Sequence, residues 1–248
     1  MKDCPEAIMD FSVIVPAFNE EKRIRACLES IVSQRTGRSF ELIVADSGST
    51  DGTVAIAREY TDKVVVCSGR GTARARNEGA RLASGDILVF IDSDTVALPG
   101  YLDTVYEAFR DHRLLGASCA FRFTRRSPKL MGAEYVTNVY YVLRSAFCAA
   151  TLPGFNLCMR RDTFELLGGF RLCHLEDLDM SIKLRKMGRT RYIPRRMVVT
   201  SSRRLEQDGI LCTLRYYGDL FEASQGRRLG YEPVKVGESK YDDYIHRE

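Results

Sequence analysis

The stretch DILVFIDSDT, residues 86–95, joins five consecutive apolar residues to two carboxylates. A run of this kind, mostly β-branched or aromatic, predicts a strand buried on both faces, as in a parallel sheet covered by helices. Because unpaired charges are costly to bury, Asp92 and Asp94 are expected at the sheet edge where α/β proteins bind ligands. Two acids flanking one serine suit a divalent cation with oxygen ligands, and a polar turn that only ends the strand is the alternative.

The segments before this stretch alternate between strand and helix patterns. Residues 11–15, 40–45 and 63–67 are predicted strands, and a helix is predicted after each, most clearly in residues 24–32. Strands that alternate with helices favour right-handed βαβ units and a parallel sheet. The chain is therefore expected to have an α/β fold.

A glycine- and arginine-rich stretch, SGRGTARARN at residues 68–77, lies at the predicted start of the helix before residues 86–95. Free N–H groups at a helix start favour anions, and arginine adds bidentate contacts to phosphate. The alternative is a helix face whose arginines are solvated. Since the next strand follows directly, a phosphate site is predicted on the same sheet edge as Asp92 and Asp94.

The regular alternation continues to residue 123 and then breaks. A helix is predicted within 98–109, a strand within 114–123, and an amphipathic helix with basic residues at its start within 126–147. Such a helix can lie on a membrane, line an acceptor groove or pack on the core, and these interpretations stay open.

A second acidic cluster, residues 174–179, opens a predicted helix that ends near Gly188. Acids in a first helical turn are favoured by the helix dipole whatever their function, which is the simpler explanation. Further on, residues 201–204 (SSRR) place hydroxyls next to paired guanidinium groups, a combination suited to a diphosphate.

Composition narrows the classes of function. The 248 residues, 45% of them hydrophobic, suffice for one large domain with or without an appendage. No signal peptide or apolar run of about eighteen residues is visible, so membrane contact is expected to be peripheral. The 8 cysteines form no Cys-x-x-Cys pair, which favours free thiols and a cytoplasmic location, including the cytosolic face of a membrane. The net charge is only +4 and there is no dense basic stripe, so nucleic acid is not an expected partner.

Five short motifs give the chain a family resemblance over at least residues 11–204. In order they are VPAFNE (15–20), VADSGSTD (44–51), ARNEG (75–79), DSD (92–94) and Glu176-Asp177. In this order and spacing they resemble inverting family 2 glycosyltransferases of the GT-A fold. The resemblance implies a mostly parallel central sheet of Rossmann-like βαβ units, flanked by helices, with a small subregion on the acceptor side.

The same resemblance divides the chain into parts. Residues 1–204 are expected to form the glycosyltransferase domain, with 1–97 as the nucleotide-sugar half and 98–204 as the acceptor half. Residues 205–248 are expected to be a helical extension packed on or near the acceptor side.

The resemblance also implies roles for residues on the donor side. Asp94 is expected to bind the metal, which is Mg²⁺ or Mn²⁺ in this family. Asp46 would bond the base, Arg76 would approach the phosphates, and Asp92 would contact the ribose or the donor. With the two arginines noted above, the expected donor-binding residues are Pro16, Phe18, Glu20, Asp46, Arg76, Asp92, Arg203 and Arg204.

On the acceptor side, the resemblance makes Asp177 the general base and Glu176 its helper. Gly154 and Phe155 are expected to border the acceptor. The chain contains no Trp, and hence no Q-x-x-R-W motif of processive synthases. Its 201–205 segment is similar to non-processive members, so one sugar per encounter is expected.

The expected function is metal-dependent, inverting transfer of one sugar from a nucleoside-diphosphate sugar to a hydroxyl or lipid-phosphate acceptor, such as a glycan or polyprenyl phosphate. A nucleotidyltransferase is one alternative, although that class usually has a glycine-rich loop where residues 16–19 (PAFN) stand. A sugar-nucleotide-binding subunit without catalysis is another, and it would have no use for the acids at 176–177.

Overall fold

The apolar run of residues 87–91 forms the central strand β4 (Ile87–Ile91) in a computed structural model of the chain, and all five residues are buried. The structure describes residues 9–147, 150–173, 175–203 and 205–206. It confirms the predicted α/β fold, in which helices flank a single sheet of eight strands. The strands besides β4 are β1 (Phe11–Ala17), β2 (Phe40–Asp46), β3 (Val64–Val66), β5 (Val96–Ala97), β6 (Leu114–Phe123), β7 (Asn156–Arg160) and β8 (Arg189–Thr200). The helices are α1 (Ile24–Val32), α2 (Thr53–Ala57), α3 (Thr72–Arg81), α4 (Tyr101–Phe109), α5 (Pro128–Ala146), α6 (Arg161–Leu166) and α7 (Glu176–Met187).

The first four strands form a parallel half-sheet in the order β3-β2-β1-β4. Phe11 of β1 is in register with Phe40 of β2 on one side and with Ile87 of β4 on the other. The carboxyl ends of these strands therefore share one edge, as the alternating pattern predicts. Asp46 ends β2, and Asp92 follows β4 directly at that edge.

The second half of the sheet continues β7-β6-β8-β5 and contains two reversed strands. β7 runs antiparallel between β4 and β6, and the two-residue β5 runs antiparallel to β8. The sequence pattern shows residues 157–159 only as a short apolar segment. Asn156, which opens β7, is fully buried, and its Oδ1 accepts hydrogen bonds from the Ser118 hydroxyl and the Cys119 N–H, both at 2.7 Å.

Alternate residues of the strands pack against helices on opposite faces of the sheet. Val13 and Val15 of β1 belong to the cluster that contains the apolar faces of α1 and α4, whereas Ile14 belongs to the cluster that contains residues of α3, α6 and α7. This two-sided burial explains why the first strands read as continuous apolar runs.

Helix α5 covers β6 and β8 in the second half of the sheet. Ser127 caps it by accepting the Leu130 N–H, and Asn138 bonds both the N–H and the C=O of Phe121 at 3.1 Å. Among the described residues, no helix is both long and apolar enough to cross a bilayer. The predicted extension, residues 205–248, lies outside the described residues except for 205 and 206.

Candidate active site

A buried arginine joins the two acidic clusters. Arg76 of α3 is 2% exposed, and its Nη2 lies 2.8 Å from Asp92 Oδ1 while its Nη1 lies 2.9 Å from Glu176 Oε1. One guanidinium thus compensates two carboxylates that come from distant parts of the chain, and these two partners limit the cost of burying the Arg76 charge. The structure therefore brings the end of β4 and the start of α7 into a single site.

The surroundings of Arg76 bear on its predicted approach to donor phosphates. Both terminal nitrogens are engaged by protein carboxylates, and the guanidinium carbon lies 5.3 Å from the centre of the Phe170 ring. Arg76 is thereby positioned as a bridge between the acidic clusters. Its contact with phosphate stays a prediction.

The two acids after β4 are both accessible in part. The side chain of Asp92 is 34% exposed and that of Asp94 is 20% exposed. The Asp92 N–H donates to the carbonyl of Phe155 at 3.3 Å, so the acid motif and the predicted acceptor border are linked through the backbone. Burial raises the pKa of Asp94 to about 6, with the charges of Asp92 and Glu20 acting in the same direction.

Arg203 reaches the same edge from the end of the described chain. Its Nη2 lies 2.9 Å from Glu20 Oε1 and 4.0 Å from Asp94 Oδ2. Glu20 also accepts from Arg23 at 3.1 Å. Three of the predicted donor-side residues, Glu20, Asp94 and Arg203, are therefore neighbours. The third predicted arginine, Arg204, lies outside the described residues.

The carboxylate oxygens near Asp94 suit a divalent cation that takes the rest of its coordination shell from other molecules. Burial is the main reason that the pKa of Asp94 rises, and the charges of Asp92 and Glu20 add to it, so a bound cation would stabilise the ionised carboxylate. Within the described ranges, no group of three His, Cys, Asp or Glu side chains is arranged to hold a metal alone. Hard cations commonly accept one or two carboxylates and take substrate phosphates and water as their other ligands.

Asp46 organises the loop after β2. Its carboxylate accepts the N–H groups of Gly48 at 2.9 Å and Ser49 at 2.8 Å, together with the Ser49 hydroxyl, and the residue is 1% exposed. These bonds fix the loop that would face a nucleoside. A direct bond from Asp46 to the base stays a prediction.

The loops after β1 and β2 are bonded to one another by residues that the sequence analysis did not single out. Asn19, at φ 51°, donates its N–H to Ser49 Oγ at 2.8 Å and accepts the Thr50 N–H at 2.9 Å. Positive φ is uncommon outside glycine but tolerated by Asn, which is the available sequence signal at this turn. Phe18 lies next to Asn19 with the Arg70 guanidinium 5.0 Å above its ring, while Pro16 is buried within β1.

The predicted base, Asp177, is oriented by two backbone donors. Its Oδ2 accepts the Gly154 N–H at 3.0 Å and its Oδ1 accepts the Leu178 N–H at 2.8 Å. A Cβ at Gly154 would lie 2.8 Å from Arg76 Nη2 and 3.1 Å from Asp177 Cβ, so only glycine fits there. Burial raises the pKa of the neighbouring Glu176, Arg76 opposes this shift, and the Asp177 charge adds to it.

Asn77 fixes the segment that precedes this acidic pair. Its Nδ2 donates to the carbonyl of Phe170 and its Oδ1 accepts the N–H of Phe170, both at 2.8 Å. Gly169, at φ 77°, has room only for hydrogen at Cα because a Cβ would lie 2.7 Å from Asn77 Oδ1. No role is predicted for Asn77 from the sequence. The available signal is weak: Asn has a low helix propensity, so an Asn inside a helix can indicate that its side chain makes a specific bond.

Phe155 and Gly154, the predicted acceptor border, lie beside strand β6 and the acidic pair at 176–177. Gly154 touches both Arg76 and Asp177, and the Phe155 ring packs edge-on against Phe121 with centroids 5.2 Å apart. The structure therefore assembles the predicted donor, metal and base residues, apart from Arg204, along the edge where β1, β2 and β4 end. Their contacts with substrates stay predictions.

Comparison with known proteins matches residues 12–162 to the family described as Glycosyl transferase family 2. Glycosyltransferase AglE of Haloferax volcanii is 39% identical over 170 residues, which cover 64% of this chain and 55% of that protein. The uncharacterized glycosyltransferase YfnE of Bacillus subtilis is 42% identical over 94 residues, covering 36% of this chain and 24% of its own length. The chain thus spans at most about half the length of these two relatives.

Solved structures share the fold. The mannosyltransferase PcManGT from Pyrobaculum calidifontis, in complex with GDP-Man and Mn²⁺, is 30% identical with a TM-score of 0.65, covering 79% of this chain and 57% of that one. TarS 1-349 of S. aureus, in complex with UDP-GlcNAc, is 23% identical with a TM-score of 0.63 over 78% of this chain and 58% of that one. The similarity to TarS supports the fold assignment only. Because the family match spans more than half of the sequence, the chain belongs to glycosyl transferase family 2 and has the GT-A fold.

Proposed function

We propose that the protein transfers a single sugar, with inversion, from a nucleoside-diphosphate sugar to a hydroxyl or lipid-phosphate acceptor. The observation that carries this proposal is the Arg76 bridge, which holds Asp92 and Glu176 in one site. A protein that only bound a sugar nucleotide would need the Asp92 side of this bridge. A transferase also needs a carboxylate on the acceptor side, and Asp177 follows Glu176 there.

The donor half of the proposal rests on the edge formed by the first four strands. The loops after β1 and β2 offer a rigid seat for a nucleoside, because Asn19 bonds the two loops together and Asp46 holds the second one in shape. A divalent ion at Asp94, Mg²⁺ or Mn²⁺, would neutralise the charge that develops on a leaving diphosphate. Arg203, beside Asp94 and Glu20, would contact the same diphosphate.

The acceptor half assigns proton transfer to Asp177. The backbone N–H groups of Gly154 and Leu178 hold its carboxylate in one orientation, which leaves further oxygen lone pairs to accept the acceptor's proton. A single displacement then follows, in which the acceptor oxygen attacks the anomeric carbon on the face opposite the diphosphate. Glu176, paired with Arg76, supports the local charge and does not itself reach the acceptor.

The relatives suggest the substrates without fixing them. The names GDP-Man and UDP-GlcNAc belong to PcManGT and TarS, and they make guanosine and uridine sugars the first donors to test. As acceptors we propose a glycan or a polyprenyl phosphate, with one transfer per encounter. The proposed location is the cytoplasm, at the cytosolic face of a membrane for a lipid acceptor.

Replacing Asp177 by Asn tests the proposed base. Turnover with a hydroxyl acceptor should fall by about 10²–10⁴, because no carboxylate would then remove the proton of the attacking hydroxyl. Donor affinity, measured by calorimetry, should stay within about twofold of the wild type. Among the described residues, the Asp177 carboxylate bonds Gly154 and Leu178, and neither is a predicted donor-binding residue.

The matched control is Asp179→Asn, on the same helix. Asp179 pairs with Lys183 at 2.7 Å and makes no described contact with Arg76 or Gly154, so its loss should leave turnover nearly unchanged. Full turnover in the Asp177 variant would reject the assignment.

A further inference from the structure

Helix α5 presents an apolar face that the described chain leaves uncovered. Large side chains at helical spacing are exposed, with Tyr135 at 63%, Val136 at 65% and Leu143 at 53% of their surface. The residue that ends the helix, Phe147, is 80% exposed. Contiguous apolar patches of this kind mark interaction sites more often than scattered apolar residues do. The full set of exposed apolar residues is Met131, Tyr135, Val136, Val139, Leu143 and Phe147.

A groove of about 500 Å³ runs beside this face between α5 and strands β6 and β8. Its apolar wall is formed by Tyr135, Val139 and Leu143, and Arg122 and Arg196 line it as well. A second cavity of about 430 Å³ lies at the helix start and is lined by Arg125, Arg126, Ser127, Lys129, Leu130, Leu205 and Glu206. The apolar face is thus bordered by cationic side chains along one side and at one end.

Acids pair with part of this border, since Glu206 bonds Arg125 at 2.9 Å and Glu134 lies 3.9 Å from Arg196. The acid within α5, Glu134, is only 3% exposed, and it bonds Arg126 at 2.9 Å and the Phe123 N–H at 3.0 Å. An apolar stripe with a cationic rim complements a layer that offers acyl chains and anionic headgroups together.

The end of α5 leads directly to the proposed acceptor site. A few residues after Phe147, Leu152 donates its N–H to Ser181 Oγ of α7 at 3.0 Å, and Gly154 donates to Asp177. The chain that follows the α5 face therefore reaches the proposed base within a few residues.

From these observations we infer that the α5 face docks on an anionic lipid surface, from which the acceptor reaches Asp177. This inference rests on the proposed function only for the acceptor; the docking itself does not depend on catalysis. Lipid binding by this face and sugar transfer can therefore be tested separately.

The test is flotation of the full chain, without donor or metal, on vesicles of phosphatidylcholine with or without phosphatidylglycerol. Binding is expected to the anionic vesicles and to weaken as salt rises, because the cations at the rim are solvent-exposed. Val136→Glu with Leu143→Glu should weaken binding roughly tenfold or more, since charge would enter the apolar layer. Arg122→Ser with Lys129→Ser should reduce binding to the anionic vesicles alone.

The matched control is Leu166→Glu, at a side chain 75% exposed at the end of α6, which should bind vesicles like the wild type. Unfolding curves would show that each variant is folded. Absence of binding to anionic vesicles would overturn the inference, and so would binding that Val136→Glu with Leu143→Glu leaves unchanged. A dimer in sedimentation that this double variant dissociates would instead assign the face to a second copy. Vesicle binding by an otherwise inactive protein would reject only the proposed function.

Discussion

The two acidic sites of the molecule are placed by different means. Asp92 and Asp94 follow a strand whose five residues are buried, so the sheet itself carries them to its edge. Glu176 and Asp177 begin a helix, and their position depends on contacts with Arg76, Asn77 and Gly154 from elsewhere in the chain. The first site is thus a property of one strand, whereas the second is a property of tertiary contacts.

Removing Arg76 should have the largest effect, because this residue belongs to both sites. Arg76→Met would leave Glu176 and Asp92 without their shared cation, and we expect a loss of about 3 kcal/mol in the free energy of unfolding. Chemical denaturation measures it. Donor affinity and turnover should both fall.

The control for this prediction is Arg25→Met, which breaks the exposed pair of Arg25 with Glu59. Exposed pairs contribute about 0–1 kcal/mol, so little stability should be lost. Equal losses in the two variants would mean that the bridge between the sites contributes no more than a surface pair.

Replacing Asn77 by Ala should affect the second site and spare the first. The N–H and C=O of Phe170 would lose their partners, which costs about 2 kcal/mol for two hydrogen bonds in a largely buried segment. Because the segment before α7 would loosen, turnover should fall about tenfold while donor affinity is retained. Calorimetry and steady-state kinetics measure the two quantities.

Asn77→Asp gives an intermediate case, since its carboxylate can accept the Phe170 N–H but cannot donate to the carbonyl. Arg81→Ala, at an exposed position of the same helix, is the neutral control. A parallel loss of donor affinity and turnover in Asn77→Ala would show that the two sites are not separable.

The free energy of unfolding should depend on pH through Asp94 of the first site. Burial and the neighbouring acids raise the pKa of Asp94 from 3.8 to about 6, so ionisation is less favourable in the folded state than in the unfolded state. Its contribution to the free energy of unfolding therefore falls as pH rises between these values. Asp94→Asn should be more stable than the wild type at pH 7 by about 1–3 kcal/mol, and equal to it near pH 3.

Chemical denaturation at the two pH values, in metal-free buffer, measures this difference. Asp111→Asn is the control of opposite sign, because the N–H and side chain of Arg113 lower the pKa of Asp111. If Asp94→Asn is no more stable than the wild type at neutral pH, the ionised Asp94 carboxylate does not destabilise the folded state.

The sequence was sufficient to predict the features that depend on local patterns. Side-chain periodicity reflects burial, so it predicts the buried strands β1, β2 and β4 and the helical spacing of α1. The acids that follow these strands can be located in the same way. The structure brings three of the predicted site residues, Asp92, Glu176 and Arg76, into contact, and their roles stay predictions.

Other features depend on partners that a local pattern does not reveal. The reversed direction of β7 is set by its neighbours β4 and β6, and the buried Asn156 is explained only by the Ser118 and Cys119 groups that it bonds. Asn77 bonds a residue 93 positions away. Likewise, the three arginines near the start of α3 look equivalent in sequence, yet Arg76 alone among them is buried.

The reversed strand β7 has a consequence for how this architecture can diversify. Strands β6 and β7 are neighbours in the sheet, so the connection from 124 to 155, which includes α5, leaves and returns at adjacent strands. Its ends stay close together whatever lies between them, and the entropy cost of a longer connection grows only slowly with length. The connection can therefore change in length and sequence, giving a different surface beside β6 and β8, while the paired strands β1, β2 and β4 remain in place.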